Sequence, residues 1–362
     1  MRRAVVVIVI VAMAVCLLGV VIDLRSFLQA WLVATLTWGM LPLGAVAVLL
    51  IHGLTGGAWG AESRYLWQAL ASTTHLFLLA MLVPLFGMSW LMPWTAPVET
   101  LPEVVRHKLL YLNVPFFIVR NLLYALIWGG LAWWLCQPSQ RLRAHAPGAI
   151  LWVLAFTFFG FDWFMSLEPT FYSDVFGLEL MGIAVSSAMA LGLLLCAPML
   201  RPAIRSDIAN LWLGMLLGWA FMTFSQLIII WSGNMPHEIG WYVQRASGSW
   251  RPIGRLAFVL FLFVPFVMLL SSSLKRNAGW LQVTAAICLV GHVLHMQWML
   301  WPSFSQWPAN QAWLGPAALI AVGGLGYLWL SRALTTNLNR NLSGNLTGSP
   351  TENTAEREGR HG

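Results

Sequence analysis

The chain has 362 residues, of which 59% are hydrophobic and 9% are charged, with a formal net charge of +7. Soluble domains carry roughly 25% charged residues, so this composition excludes a soluble globular protein and indicates an integral membrane protein. The basic residues are spread between apolar runs, which is typical of topology determinants and not of a nucleic-acid-binding surface.

Runs of about 20 apolar residues are long enough to cross a membrane as helices. The chain has ten such runs, which predict an all-α integral membrane protein with about ten transmembrane helices. The predicted bounds are 4–22, 29–52, 65–92, 108–135, 148–167, 175–200, 208–232, 252–274, 279–301 and 311–334. They form one polytopic membrane domain, 1–336. The tail, 337–362, is polar, so we expect it to be disordered.

The first run has two interpretations. Arg2 and Arg3 precede it, and Ala12-Met13-Ala14 resembles the cleavage site of a signal peptide. The run continues well past that site, which favours an uncleaved anchor. An even number of spans places both termini on one side of the membrane. Most Lys and Arg residues fall on that side, so the positive-inside rule predicts cytoplasmic termini.

Polar side chains within apolar runs are costly and usually face a bundle interior or a water-filled path. In chain order, the candidates for a quinone pocket or a proton path are His75, Arg120, Asp162, Glu168, Gln226, His292 and His295. At 1.5 Å per residue, Arg120 lies ~18 Å into the fourth span and Asp162 ~21 Å into the fifth. The two therefore reach similar depths. The alternative is an ion pair that only locks two helices together.

The turn after the fifth span combines Glu168 and Asp174 with Pro169. Pro169 forces the residue before it out of helical geometry, so we expect the helix to break there. Glu168 would then stand at the membrane edge, where it could pass protons to water. The alternative is a polar turn with interfacial aromatic residues. Glu179 lies near the edge of the sixth span, where snorkelling to the surface is a sufficient explanation.

The histidines could serve as ligands or as hydrogen-bonding groups. His292 and His295 are three residues apart and share one face of the ninth span, while His75 lies near the middle of the third. Histidines on facing helices could ligate haem b, although a lone intramembrane His more often bridges two helices. The four cysteines form no CxxC or CxxCH motif, so we expect no metal and no covalently bound cofactor.

Three segments carry a family resemblance: 106–120 (RHKLLYLNVPFFIVR), 162–169 (DWFMSLEP) together with Tyr172-Ser173, and 224–242 (FSQLIIIWSGNMPHEIGWY). They resemble the ActF-type, NrfD/polysulfide-reductase-C-like membrane subunits of alternative complex III, a bacterial quinol:cytochrome c oxidoreductase. The resemblance implies two four-helix bundles plus extra helices in the bacterial inner membrane. It implies partners among membrane lipid, an iron–sulfur subunit, c-type cytochrome subunits, a paralogous NrfD-like subunit and, as a further candidate, a terminal oxidase.

The resemblance also implies a subunit with no redox centre of its own, which contacts quinone or quinol, carries a proton path, or does both. Many relatives have Pro-His-Trp-Tyr-Ser where Pro169 is followed here by Thr170 and Phe171. Any role of that His in proton handling is therefore absent or moved. Two other functions stay open: a cofactor-free scaffold for periplasmic redox subunits, and a solute or ion transporter. The sequence has no convincing internal repeat with paired broken helices, which disfavours the transporter.

The loop after the seventh span is rich in aromatic residues and is expected to bury against an extracytoplasmic partner, because Trp and Tyr are enriched at interfaces. The residues proposed for docking are Asn234, Pro236, His237, Glu238, Trp241 and Tyr242.

Overall fold

The structure is a computed structural model that describes residues 2–137, 144–234, 236–304 and 309–347. Within these ranges, all regular secondary structure is helical. Ten helical segments in the described part of the chain are long and apolar enough to cross a membrane, which confirms the ten predicted spans. The chain is therefore a multi-pass helical membrane protein.

The helices are α1 (Arg2–Ile22), α2 (Leu24–Thr55), α3 (Ala58–Ala71), α4 (Thr74–Phe86), α5 (Met88–Leu91), α6 (Glu103–Arg106), α7 (Val114–Leu135), α8 (His145–Trp163), α9 (Phe176–Cys196), α10 (Pro202–Gly233), α11 (Pro236–Arg245), α12 (Trp250–Phe258), α13 (Val264–Leu270), α14 (Ser272–Arg276), α15 (Ala278–Leu300) and α16 (Leu314–Thr347). Helices α3 and α4 together make one span, as do α12 and α13.

Polar residues between the apolar runs begin several of these helices. The Asp23 carboxylate accepts a hydrogen bond from the Ser26 backbone N–H (3.2 Å) and caps α2. Asn113 caps α7 in the same way, by accepting from the Phe116 N–H (3.0 Å). Each cap satisfies a backbone donor that the helix itself leaves unpaired. The short connections between spans are therefore defined turns rather than bare linkers.

Helices α2 and α9 lie at the centre, and most of their residues are buried. They approach closely because Gly44 lacks a side chain: a Cβ there would lie 2.0 Å from the Ala184 carbonyl oxygen. Helices α4, α7 and α8 pack on one side of this pair, whereas α10, α12, α13 and α15 pack on the other. Helices α1, α3 and α16 complete the structure against α2. The α7, α8 and α10 faces turned away from the centre are apolar and exposed.

Two features differ from the sequence prediction. Helix α16 continues to Thr347, so 337–347 are helical where we expected a disordered tail, and 348–362 lie outside the described residues. The eighth span contains a π-helical turn, Val259–Phe263, between α12 and α13. Gly291 on α15 permits this turn to pack closely, because a Cβ there would lie 2.3 Å from the Phe261 backbone nitrogen.

Candidate functional site

Arg120 on α7 and Asp162 on α8 form a buried ion pair. The guanidinium donates from Nε to Oδ2 (2.9 Å) and from Nη2 to Oδ1 (2.8 Å), which is the bidentate geometry that arginine favours with carboxylates. The Tyr124 hydroxyl donates a further hydrogen bond to Asp162 Oδ2 (2.7 Å). Asp162 is 0% exposed. The similar depths predicted for these two residues are confirmed, and the two charges neutralise each other.

Aromatic rings cover the guanidinium of this pair. The Arg120 Cζ atom lies 3.8 Å from the centre of the Tyr111 ring and 4.3 Å from that of Phe116. Arg120 Nη1 donates to the Tyr111 carbonyl (3.0 Å). Burial, and then the negative charge of Asp162, raise the pKa of Tyr111 above its usual range. Tyr111 therefore stays a neutral phenol next to the pair.

A cleft of about 590 Å³ lies against this pair, at the end of α7 and α8 that carries the predicted break. Its lining residues are His107, Lys108, Leu110, Tyr111, Leu112, Phe116, Phe158, Phe161, Met165, Ser166, Pro169, Phe171 and Tyr172. Tyr111 and Phe116 separate the cleft from Arg120, and the Ser166 hydroxyl donates to the Asp162 carbonyl. The walls are mostly apolar, and Lys108 adds a cation whose Nζ donates to the Pro169 carbonyl (2.8 Å). The cleft is therefore amphipathic.

Glu168 forms a second ion pair, with Arg245 of α11. Its Oε1 accepts from Arg245 Nη2 (2.6 Å) and from the Ser303 hydroxyl (2.6 Å). The backbone at Glu168 is non-helical (φ −129°, ψ 78°), which confirms the break expected before Pro169. The turn folds back, so that the Glu168 carboxylate pairs with Arg245; its transfer of protons to water stays a prediction.

Arg245 was missed as a site residue. It is buried and donates to the carbonyls of Trp241 (3.1 Å) and Met299 (2.7 and 3.1 Å), in addition to Glu168. Burial lowers the pKa of Arg245, and the Glu168 carboxylate opposes that effect. From the sequence, Arg245 reads as one of many basic residues in a loop. Only its place between two aromatic-rich segments set it apart.

The structure corrects part of the docking prediction. Trp241 is buried, and its ring stacks on Phe171 with the centres 4.8 Å apart and on the Arg245 guanidinium at 3.8 Å. It packs within the chain and is not available to a partner. Asn234 is exposed and adopts a left-handed backbone (φ 46°) at the end of α10. The side chains of Pro236, His237 and Glu238 lie outside the described residues, so their docking stays a prediction.

Gln226 joins the turn and α11 to the membrane interior. Its side-chain carbonyl accepts from the Ser173 hydroxyl (2.7 Å), and its amide donates to the Tyr242 hydroxyl (2.8 Å). Burial, and then the nearby Glu179 carboxyl, raise the pKa of Tyr242 above its usual range. Tyr242, which we expected to contact a partner, thus makes a hydrogen bond within the chain.

The three candidate histidines do not form one group. His292 is buried, and its Nδ1 and Nε2 atoms lie 2.9 Å from the Ser187 hydroxyl and 2.9 Å from the Thr37 carbonyl, respectively. His295 stacks on Phe261, with the ring centres 6.0 Å apart. His75 instead is exposed on the outer face of α4. The expectation that His75 shares an interior site with the other two is wrong.

The fold and these contacts define a class: a multi-pass helical membrane protein with two Arg–carboxylate pairs in which the arginine is buried, and an amphipathic cleft at one end. No protein-family model matches the chain, and no curated protein matches it either.

Proposed function

We propose that the chain is an integral membrane subunit of a bacterial quinol:cytochrome c oxidoreductase of the alternative complex III type, and that the cleft beside Arg120 and Asp162 is its contact with quinone. The observation that carries this proposal is the amphipathic cleft itself. Its volume, about 590 Å³, lies within the ~300–1,000 Å³ that small-molecule sites occupy.

The two kinds of cleft wall match the two parts of a quinone. Phe116 and Phe158 are partly exposed on the outer surface, so an isoprenoid tail could enter between them from the lipid. The polar ring would lie near Ser166, Lys108 and Tyr111. The Tyr111 ring lines this part of the cleft, while its buried hydroxyl makes no hydrogen bond with described residues.

The packing of two helix groups around α2 and α9 supports the paired four-helix bundles of an NrfD-like subunit. In this proposal, electrons pass through iron–sulfur and c-type cytochrome partners, and a paralogous NrfD-like subunit completes the membrane part. The termini are cytoplasmic, and the end that carries the cleft faces outward. Gln226, His292 and His295 belong to a proton path in this scheme.

The test compares two lipid-facing phenylalanines in the purified complex. Phe158 lines the cleft, whereas Phe221 on α10 is exposed elsewhere. We expect Phe158→Ala to weaken retention of quinone about tenfold, equivalent to about 1.4 kcal/mol, and Phe221→Ala to leave it unchanged. Quinone is measured by extraction after mild detergent purification.

Three results would contradict this proposal. Equal loss in both variants would show that the cleft is not the site. A complex that keeps cytochromes and an iron–sulfur protein but no quinone would favour the scaffold. A chain that purifies without any redox partner would favour the transporter.

A further inference from the structure

Glu179 on α9 differs from the other buried carboxylates, because no cation accompanies it in the described part of the chain. It is 3% exposed, so snorkelling to the surface does not explain its position. Its Oε1 accepts from the Thr223 hydroxyl of α10 (3.1 Å), and its Oε2 has no partner among the described residues. A carboxylate buried without a cation costs far more than a neutral acid, so the burial of Glu179 favours its protonated form.

Further unpartnered polar atoms lie on the same three packed helices, α9, α10 and α15. Ser186 Oγ, Trp219 Nε1 and His295 Nε2 are buried and make no hydrogen bond with described residues. Glu179 and Ser186 are seven residues apart and share one face of α9, with Gly182 between them. A Cβ at Gly182 would lie 2.8 Å from Trp219 Cβ. The Trp219 ring in turn lies 5.3 Å from that of His295.

Hydrogen-bonded groups extend this cluster in both directions. Toward the end that carries the cleft, the Tyr242 hydroxyl lies close enough to Glu179 for the carboxyl to raise the pKa of Tyr242. Tyr242 is joined to Gln226 and Ser173 by the hydrogen bonds described above. On α15, His292 lies one turn closer to the middle of the membrane than His295. The His292 ring is hydrogen-bonded to the Thr37 carbonyl of α2. Polar groups therefore lie on both sides of Glu179 along this interface.

Buried polar atoms in folded proteins are rarely left unpaired, and ordered water supplies the missing partners where the chain does not. We propose that the α9–α10–α15 interface binds water and that Glu179 is a proton-exchanging acid served by that water. The proposal rests on the proton path of the proposed function and names its titrating group. The experiments below measure only the Glu179 carboxyl group. This proposal can therefore fail while the quinone site is supported, and it can be supported while the quinone site fails.

A hydrophobic carbodiimide tests the protonation of Glu179 in the membrane-embedded protein. The neutral acid gives its proton to a carbodiimide nitrogen, and the carboxyl oxygen adds to the central carbon. The acyl group then moves to nitrogen and leaves a stable N-acylurea that retains every atom. We expect labelling at Glu179 about tenfold above that at Asp162 and Glu168, because both of those are paired with arginine. The label is located by peptide mass spectrometry.

Infrared spectroscopy provides a second measurement that does not require the reagent to reach the site. We expect the wild-type-minus-Glu179→Gln spectrum to contain the carbonyl band of a protonated carboxyl, and this band to shift in D₂O. The matched control is Glu99→Gln, which changes an exposed carboxylate and should give no such band. A missing band, or one that does not shift in D₂O, would overturn the proposal. Carbodiimide labelling of the peptide that contains position 179 would overturn the proposal as well if it persisted in Glu179→Gln.

Discussion

The two Arg–carboxylate pairs use the same chemistry but differ in how much each arginine depends on its partner. Arg120 makes two bonds to Asp162 and one to a carbonyl. Arg245 makes one bond to Glu168, while the others go to the Trp241 and Met299 carbonyls and the Ser303 hydroxyl. Removing the carboxylate should therefore leave the Arg120 guanidinium buried with one hydrogen bond and no counter-charge. The Arg245 guanidinium would keep most of its hydrogen bonds. The hydrogen-bonding geometry around the guanidinium, more than its burial, therefore decides the cost of losing the carboxylate.

Breaking the first pair should have the largest effect. We expect Asp162→Asn to destabilise the protein by about 3–5 kcal/mol, since it leaves a buried guanidinium without its counter-charge. The double variant Asp162→Asn/Arg120→Gln should recover most of this loss, because it removes the stranded charge. Thermal unfolding in detergent and the yield from membranes measure both. If the double variant were no more stable than the single one, charge neutralisation would not be the role of the pair.

Breaking the second pair should cost less. We expect Glu168→Gln to destabilise the protein by about 1–3 kcal/mol, because the Arg245 guanidinium keeps three carbonyl bonds and the amide oxygen can still accept. The same unfolding assay, run beside Asp162→Asn, gives the difference directly. A loss as large as that of Asp162→Asn would refute the ranking of the two pairs.

The Tyr124 hydroxyl is expected to add a smaller contribution to the stability of the first pair. Tyr124→Phe removes the hydrogen bond to Asp162 Oδ2 and should cost about 0.5–2 kcal/mol. Tyr111→Phe is the matched control, since the Tyr111 hydroxyl has no partner among the described residues and its loss should change stability little. Equal effects of the two variants on the unfolding temperature would argue against the Tyr124 bond.

An effect as small as that of Tyr124→Phe is expected outside both pairs, at Asp23. The hydrogen bond from the Ser26 hydroxyl lowers the pKa of Asp23, so its capping contribution is present above the unfolded pKa, about 3.9. That contribution is lost as the pH falls through the folded value. Asp23→Ala should cost about 0.5–2 kcal/mol at neutral pH, whereas Asp23→Asn should cost a few tenths. The difference in unfolding stability between wild type and Asp23→Asn should become smaller as the pH is lowered from 7 to 3.

The sequence predicted what depends on length and depth. Ten apolar runs gave ten spans, and counting residues from the membrane edge placed Arg120 opposite Asp162. The sequence could not predict how each helix is rotated about its own axis. His75 lies well inside its span but points outward, since the third span has apolar residues on all faces and no stripe to fix its orientation.

Long-range pairing was also beyond the sequence. Glu168 and Arg245 are 77 residues apart, and their contact requires the turn and α11 to fold over the same end of the bundle. Trp241 was assigned to a partner interface for the same reason. Nothing in its local sequence shows that its aromatic neighbour, Phe171, comes from a different turn of the same chain. Glu179 was not counted as a site residue, because it lies near the membrane edge and snorkelling could explain its charge there. In the structure, α10 packs against α9 and buries the Glu179 side chain.

Sequence separation also sets the order in which the two pairs can close during synthesis. Arg120 and Asp162 are 42 residues apart, so at about 5–20 residues per second their pairing must wait only about 2–8 s. Glu168 and Arg245 are 77 residues apart, and Glu168 and Ser303 are 135 apart, which corresponds to about 4–15 s and about 7–27 s of translation, respectively. The turn that holds Glu168 is thus finished long before the groups that bind it leave the ribosome. Insertion of the ninth span supplies Ser303, the last of these groups to be synthesised.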